Sequence, residues 1–183
     1  LGVAHISLAG TVQPRIEPEI LFGLAAPLPA GVQDLEKILA HVAWYAHAIE
    51  IVQSHYPGWK ATAADYCADN VCHAFFVVGP PRSIDRAHAS RLITALSDCT
   101  VELRKNGETQ QIGCGTHVLG HPLLALAHLA TLVAERPNAA PLRTGELVST
   151  GTLTDALPIA AGERWSTRFA GIDIQDLQLH FSH

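Results

Sequence analysis

Apolar and polar positions along the chain divide it into strand-like and helix-like stretches. Ile16–Leu24 carries glutamate at alternate positions and then turns apolar, which predicts a strand. Pro18 lacks an N–H and belongs on an edge or at a bulge. Pro27–Gly31 reads as a loop. Gln33 to about Tyr45 is predicted as a helix, because Leu35, Ile38, Leu39 and Val42 recur at helical spacing. The β-branched Ile49, Ile51 and Val52 predict a strand over Ala48–Ser54, and Pro57-Gly58 turns the chain. Phe75–Val78 is a short apolar run that suits a buried strand, ended by Gly79-Pro80-Pro81. Arg86–Ser97 is predicted as a helix. Thr100–Lys105 and Glu108–Ile112 flank Asn106-Gly107, the signature of a hairpin with a type I′ turn. Pro122–Arg136 opens with proline at its first turn and buries Leu123, Leu126, Ala127, Ala130 and Val133. Glu146–Thr150, Arg164–Ala170 and Asp173–Phe181 are closing strands. Many strands and a few helices, without repeats or a linker, predict one α+β domain over residues 1–183.

Composition narrows the function classes. Of 183 residues, 48% are hydrophobic and 16% charged, against about 25% charged in an average soluble chain. That balance suits a chain with much buried surface and leans towards a homo-oligomer. The net charge of −5 and scattered Lys and Arg exclude a basic nucleic-acid footprint and a polybasic membrane patch. Thr109–Ala134 contains no Asp, Glu, Lys or Arg, so length alone permits a membrane span. Gln110, Gln111, Pro122 and three histidines argue instead for a hairpin strand, a loop and a buried helix. Cys67, Cys72, Cys99 and Cys114 are irregularly spaced, which predicts reduced thiols in a cytoplasmic protein. The sequence opens at Leu1, shows no signal peptide and contains no methionine, so two readings are open: its natural start lies outside it, or methionine residues have been lost from it.

The segment Arg15-Ile16-Glu17-Pro18-Glu19-Ile20 carries the most chemistry. On a strand, residues i and i+2 share a face, so Glu17 and Glu19 emerge together. Two such carboxylates disfavour each other's charge, and a hard cation between them relieves this. Glu50, a carboxylate inside the apolar run Ala48–Val52, is the natural third ligand. Two readings are open: a metal site, or a solvated edge with Glu50 paired to an arginine such as Arg15. Cys114, His117 and His121 have C-x2-H-x3-H spacing, but lack a fourth ligand and read as a packed thiol and two loop histidines.

Five segments in order carry a resemblance. Gln13-Pro14-Arg15-Ile16-Glu17-Pro18-Glu19-Ile20 is similar to the "QPRVEPEIAF" signature of the 2-oxopent-4-enoate hydratase and 2-oxo-3-hexenedioate decarboxylase family, within the fumarylacetoacetate hydrolase superfamily. Ala48–Val52 resembles its "AIEIV" strand, and Trp59-Lys60 with Ala68-Asp69-Asn70 its "WK…ADN" segment. Val118–Pro122 and the residues after it resemble "VLGxPLxAxxWLA". Gly145–Val148 with Thr150–Thr154 resembles "GDIVLTGSLT".

The resemblance implies a mixed β-roll or incomplete barrel of the fumarylacetoacetate hydrolase C-terminal type, flanked by helices. It implies Mg²⁺ or Mn²⁺ held by Glu17, Glu19 and Glu50. It points to Lys60 and Asp69 as acid/base groups, and to Asn70, Gly151 and Thr152 as contacts for a small 2-oxo or 2-hydroxy-dienoic acid. From the residues alone, Lys60 also suits a surface loop, Asp69-Asn70 an Asx turn, and Thr150-Gly151-Thr152 a plain turn. The implied reaction is hydration of 2-hydroxypenta-2,4-dienoate in aromatic-compound breakdown. Alternatives are decarboxylation of 2-oxo-3-hexenedioate and a catalytically silent member that binds metal or a partner.

Three features depart from the family pattern. Active members carry a lysine in a "YKxGxT" motif upstream, whereas the twelve residues before Gln13 include none. Gln53-Ser54-His55 replaces "DSR". Val71-Cys72-His73-Ala74-Phe75 stands where small Ser and Gly residues are common.

Overall fold

The glutamate-bearing segments form two long, adjacent strands. In the computed structural model, which describes residues 2–183, β1 (Gly2–Ser7) precedes β2 (Arg15–Leu24). A short helix α1 (Leu35–Ala40) then leads into β3 (Val42–Val52). Strands β2 and β3 pair antiparallel from Arg15↔Val52 to Leu24↔Val42. Alternation puts Arg15, Glu17 and Glu19 on one face with Glu50, and Ile16, Ile20, Ile49 and Ile51 on the other. Those four isoleucines are fully buried, each contributing about 1.5–3 kcal/mol relative to exposure.

The expected helix to Tyr45 is shorter, and the following strand starts earlier. Asp34 caps α1 by accepting from the Glu36 and Lys37 N–H groups, and the helix stops at Ala40. Val42, Trp44 and Tyr45 are β-branched or aromatic and gain more from the sheet. Val42 is buried as the spacing predicts, but as a strand residue. Pro18 lies within the sheet and not at its edge. Its carbonyl accepts from Leu153 N–H, so its nitrogen faces the same side, away from β3. The missing donor therefore costs no rung of the β2–β3 ladder.

The chain continues through α2 (Ala63–Ala68), β4 (His73–Val78), β5 (Arg82–Ser83) and α3 (Ala89–Asp98). The predicted hairpin is β6 (Thr100–Lys105) and β7 (Glu108–Cys114), with Asn106 at φ 51° and Gly107 at φ 90° in its turn. Helix α4 (Pro122–Ala134) is followed by β8 (Leu147–Ser149), β9 (Leu157–Pro158), β10 (Arg164–Ala170) and β11 (Leu177–Ser182). One sheet has the order β1-β11-β10-β6-β7. The other runs β4-β3-β2-β8, with β5 on β3 and β9 on β2. Neither closes into a barrel. The strand at the chain start, β1, runs parallel to β11 and had no sequence signal.

Two cores hold the sheets in place. Ile16, Ile49 and Ile51 pack with Leu103, Trp165 and Leu179 of the five-stranded sheet. Ile20 and Phe22 pack with Ile38, Leu96, Leu123 and Leu126 of the helices. The apolar stretch Gly115–Ala134 has a mean hydropathy of 1.4, yet left-handed Leu119 and Gly120 break it before α4. At 13 residues α4 rises about 20 Å, short of the roughly 30 Å hydrocarbon core. Its Leu123, Leu126 and Ala127 are buried against the sheet.

Between α2 and β4 the backbone turns left-handed over three consecutive residues, Asn70, Val71 and Cys72, at φ 53°, 52° and 65°. A β-branched residue is costly there, and Val71 is 71% exposed, so packing does not compensate. Val71→Gly is expected to raise the unfolding free energy by about 1 kcal/mol, read as a shift in the denaturant midpoint.

Candidate metal centre

Cross-strand pairing places Glu17 directly opposite Glu50, with Glu19 two residues along the same face. One carboxylate oxygen from each of the three lies within 4.8 Å of the others. Glu19 is 1% exposed; Glu17 and Glu50 are partly buried. Burial, and then the Glu50 charge, push the Glu17 carboxyl up to about 7, with Arg15 pulling the other way. Burial likewise raises Glu19 to about 7, against the Ser149 hydroxyl, with Glu50 and Glu17 adding to the rise. Three carboxylates crowded at low solvation fit a hard divalent cation, whose charge relieves both effects.

The cluster is supported from β8 and the turn after it. Ser149 donates its hydroxyl to Glu19 Oε2, and the Gly151 N–H donates to the same oxygen at 3.3 Å. Gly151 holds φ +88°, a conformation that glycine adopts without strain. On the far side, His47 is fully buried between the Glu19 carbonyl (Nδ1, 3.1 Å) and the Thr167 hydroxyl (Nε2, 2.9 Å). Burial pushes this imidazole down to about 4, so it is neutral.

Glu50 does not pair with Arg15. Its Oε1 lies 2.6 Å from His73 Nδ1, while the Arg15 guanidinium stacks 4.4 Å from the centroid of the Trp59 ring. Gln13 explains the opening of the signature. Its amide donates to the Ser54 and Tyr56 carbonyls at 2.9 Å each, and its oxygen accepts from Gly58 N–H at 2.8 Å. The Trp59 indole donates to the Gln13 carbonyl, and Tyr66 donates to the Trp59 carbonyl. The Trp59-Lys60 segment is thereby tied to the start of β2.

The other expected site residues are less uniform. Lys60 is exposed and makes no hydrogen bond or ion pair among the described residues. Asp69 accepts from the His55 backbone N–H at 3.0 Å and faces His55 Nδ1 at 2.5 Å. The His55 N–H holds its carboxyl below the usual range. Asn70 is exposed within the left-handed turn, and the Thr152 hydroxyl accepts from Thr154 N–H. The C-x2-H-x3-H residues each turn to a separate partner. Cys114 faces Thr116, His117 the Leu153 carbonyl, and His121 the Ile93 carbonyl. All four cysteines are free thiols. Ser149 and His73 were not foreseen: a pairing across 130 residues leaves no local trace.

A profile of the fumarylacetoacetate hydrolase C-terminal family matches residues 4–176. The chain belongs to that family. Its match to the 2-hydroxyhexa-2,4-dienoate hydratase of Comamonas testosteroni is 32% identical over 177 residues, covering 97% of this chain and 64% of the relative. The 4-oxalocrotonate decarboxylase of Pseudomonas sp. (strain CF600) is 33% identical over 161 residues, 88% of this chain and 58% of the relative. Among solved structures, 4-oxalocrotonate decarboxylase from Pseudomonas putida G7, complexed with magnesium and adipate, superimposes with a TM-score of 0.84 at 29% identity. That match covers 98% of this chain and 64% of the other. The chain thus spans about three fifths of the length of these relatives. The same decarboxylase also binds calcium. That decarboxylase thus takes hard cations, and the all-carboxylate cluster here is of a donor type that suits such ions.

Proposed function

We propose that this chain is the metal-binding catalytic domain of a lyase acting on a small 2-hydroxy-dienoic or 2-oxo acid. The observation that carries the reading is the three-glutamate cluster, seated on paired strands of a fold whose relatives bear hydratase and decarboxylase names. Hydration of 2-hydroxypenta-2,4-dienoate to a 4-hydroxy-2-oxo acid is the favoured reaction.

The chain's own residues divide the work. Glu17, Glu19 and Glu50 hold Mg²⁺ or Mn²⁺, with Ser149 and the Gly151 N–H fixing the Glu19 carboxylate. When bound, the cation supplies Lewis-acid stabilisation of negative charge developing on a 2-oxo oxygen. Asn70, Gly151 and Thr152 contact the substrate carboxylate. Asp69, kept ionised by the His55 N–H, accepts a proton, and Lys60 donates one as the dienol becomes the ketone. Decarboxylation of 2-oxo-3-hexenedioate is the second reading, favoured by the TM-score of 0.84 to a decarboxylase.

Incubation with Mg²⁺ or Mn²⁺ and each acid separates these readings. Loss of dienoate absorbance with a 4-hydroxy-2-oxo acid as product is the expected result. Release of CO₂ from the enedioate alone would install decarboxylation instead. A chain that binds cation and turns over neither acid would be a silent member. Lys60→Ala is expected to lower kcat about 100-fold or more while cation affinity stays unchanged by titration calorimetry.

A further inference from the structure

The Glu50–His73 contact is not explained by the three-ligand site alone. We propose that His73 is a positioning residue of the metal centre, an outer group that holds Glu50 in its ligating orientation. This rests on the metal centre proposed above.

The backbone aims this side chain deliberately. Val52 pairs with His73 and Glu50 with Phe76, so β4 spends one extra residue against β3 between those two rungs. Such a bulge re-aims side chains. It brings His73 and Phe76, three apart in sequence, onto the face that carries Glu50. The left-handed turn just before fixes where β4 begins. Cys72 N–H donates to the Asp69 carbonyl at 2.9 Å, and Gln53 N–H donates to the Cys72 carbonyl at 2.7 Å. The imidazole then meets Glu50 through Nδ1 at 2.6 Å, a hydrogen-bond distance.

His73 does not join the cluster itself. The groups gathered within 4.8 Å of one another are the three glutamates. With Glu50 ionised, Nδ1 carries the hydrogen and donates to Oε1, which fixes the rotation of the carboxylate. Partners of this kind orient ligands, and their loss typically weakens metal affinity about 10–100-fold. The pair is half-open, with side-chain exposures of 41% for His73 and 21% for Glu50. Solvent thus competes for Glu50 once the imidazole is gone.

Calorimetric titration with Mn²⁺ and Mg²⁺ at constant pH, on the whole chain, tests the role. His73→Ala is expected to bind both cations about 10–100-fold more weakly than the parent. His73→Asn is expected to restore most of the loss, because its amide N–H sits where Nδ1–H does. The parent's Mn²⁺ resonance spectrum is expected to show no coupling to an imidazole nitrogen. Equal affinity in His73→Ala, an Asn variant no better than Ala, or a nitrogen coupling in the parent would each overturn the proposal. A parent chain that binds neither cation would fail the metal centre as a whole, which is a different result from these.

Discussion

Glu19→Gln is expected to abolish measurable Mg²⁺ or Mn²⁺ binding and to lower kcat/KM by about three orders of magnitude, about 4 kcal/mol of transition-state stabilisation. Glu19 is the right member of the triad to change. It is 1% exposed and already aimed by Ser149 and Gly151, so its charge acts through a poorly solvated medium. The amide keeps the volume and still accepts from Ser149, so the fold survives. In the metal-free protein the substitution removes one of three crowded charges, and thermal stability at pH 8 is expected to hold or rise. That opposite movement of stability and activity separates a ligand from a structural residue. Unchanged cation affinity in Glu19→Gln would remove the triad from the metal centre.

Much of this was legible in local sequence. The Asn106-Gly107 hairpin, the Pro122 helix and the strand parity of Glu17 and Glu19 follow from rules within a few residues, and all three are present. Strand ends were less legible. The spacing of Leu35, Ile38, Leu39 and Val42 fits a helix equally well until β2 and β5 compete for Val42–Tyr45. Pro18 looked like an edge residue because the gap between β8 and β9, where its missing donor goes unneeded, is set by residues far along the chain. The site shows the same divide. The glutamates were visible as spacing; Ser149 and His73 reach them only through tertiary pairing.

The acid–base balance of the empty and loaded sites should have opposite signs. Glu17 and Glu19 rise to about 7 in the fold from 4.5. The folded state therefore holds protons that the unfolded chain has released. Stability from this source is complete below pH 4.5 and is lost as pH rises through 7. His47 acts the other way. Lowered from 6.5 to about 4, it stabilises above 6.5 and loses that contribution as pH falls through 4. His121, lowered by burial, has the same sign. Above pH 6.5 His47 and His121 add little further slope, while Glu17 and Glu19 still titrate. Metal-free protein is thus expected to lose stability from pH 6.5 to 8, by on the order of 1 kcal/mol from Glu19 alone. Glu19→Gln should flatten that decline while leaving the histidine limb intact, so the difference between the two curves isolates the carboxylate. Saturating Mg²⁺ should reverse the slope, because cation and protons compete for the same oxygens. Denaturant unfolding at several pH values, with chelator and with Mg²⁺, reads all three curves. Parallel curves with and without Mg²⁺ would mean that the cation does not sit on these glutamates.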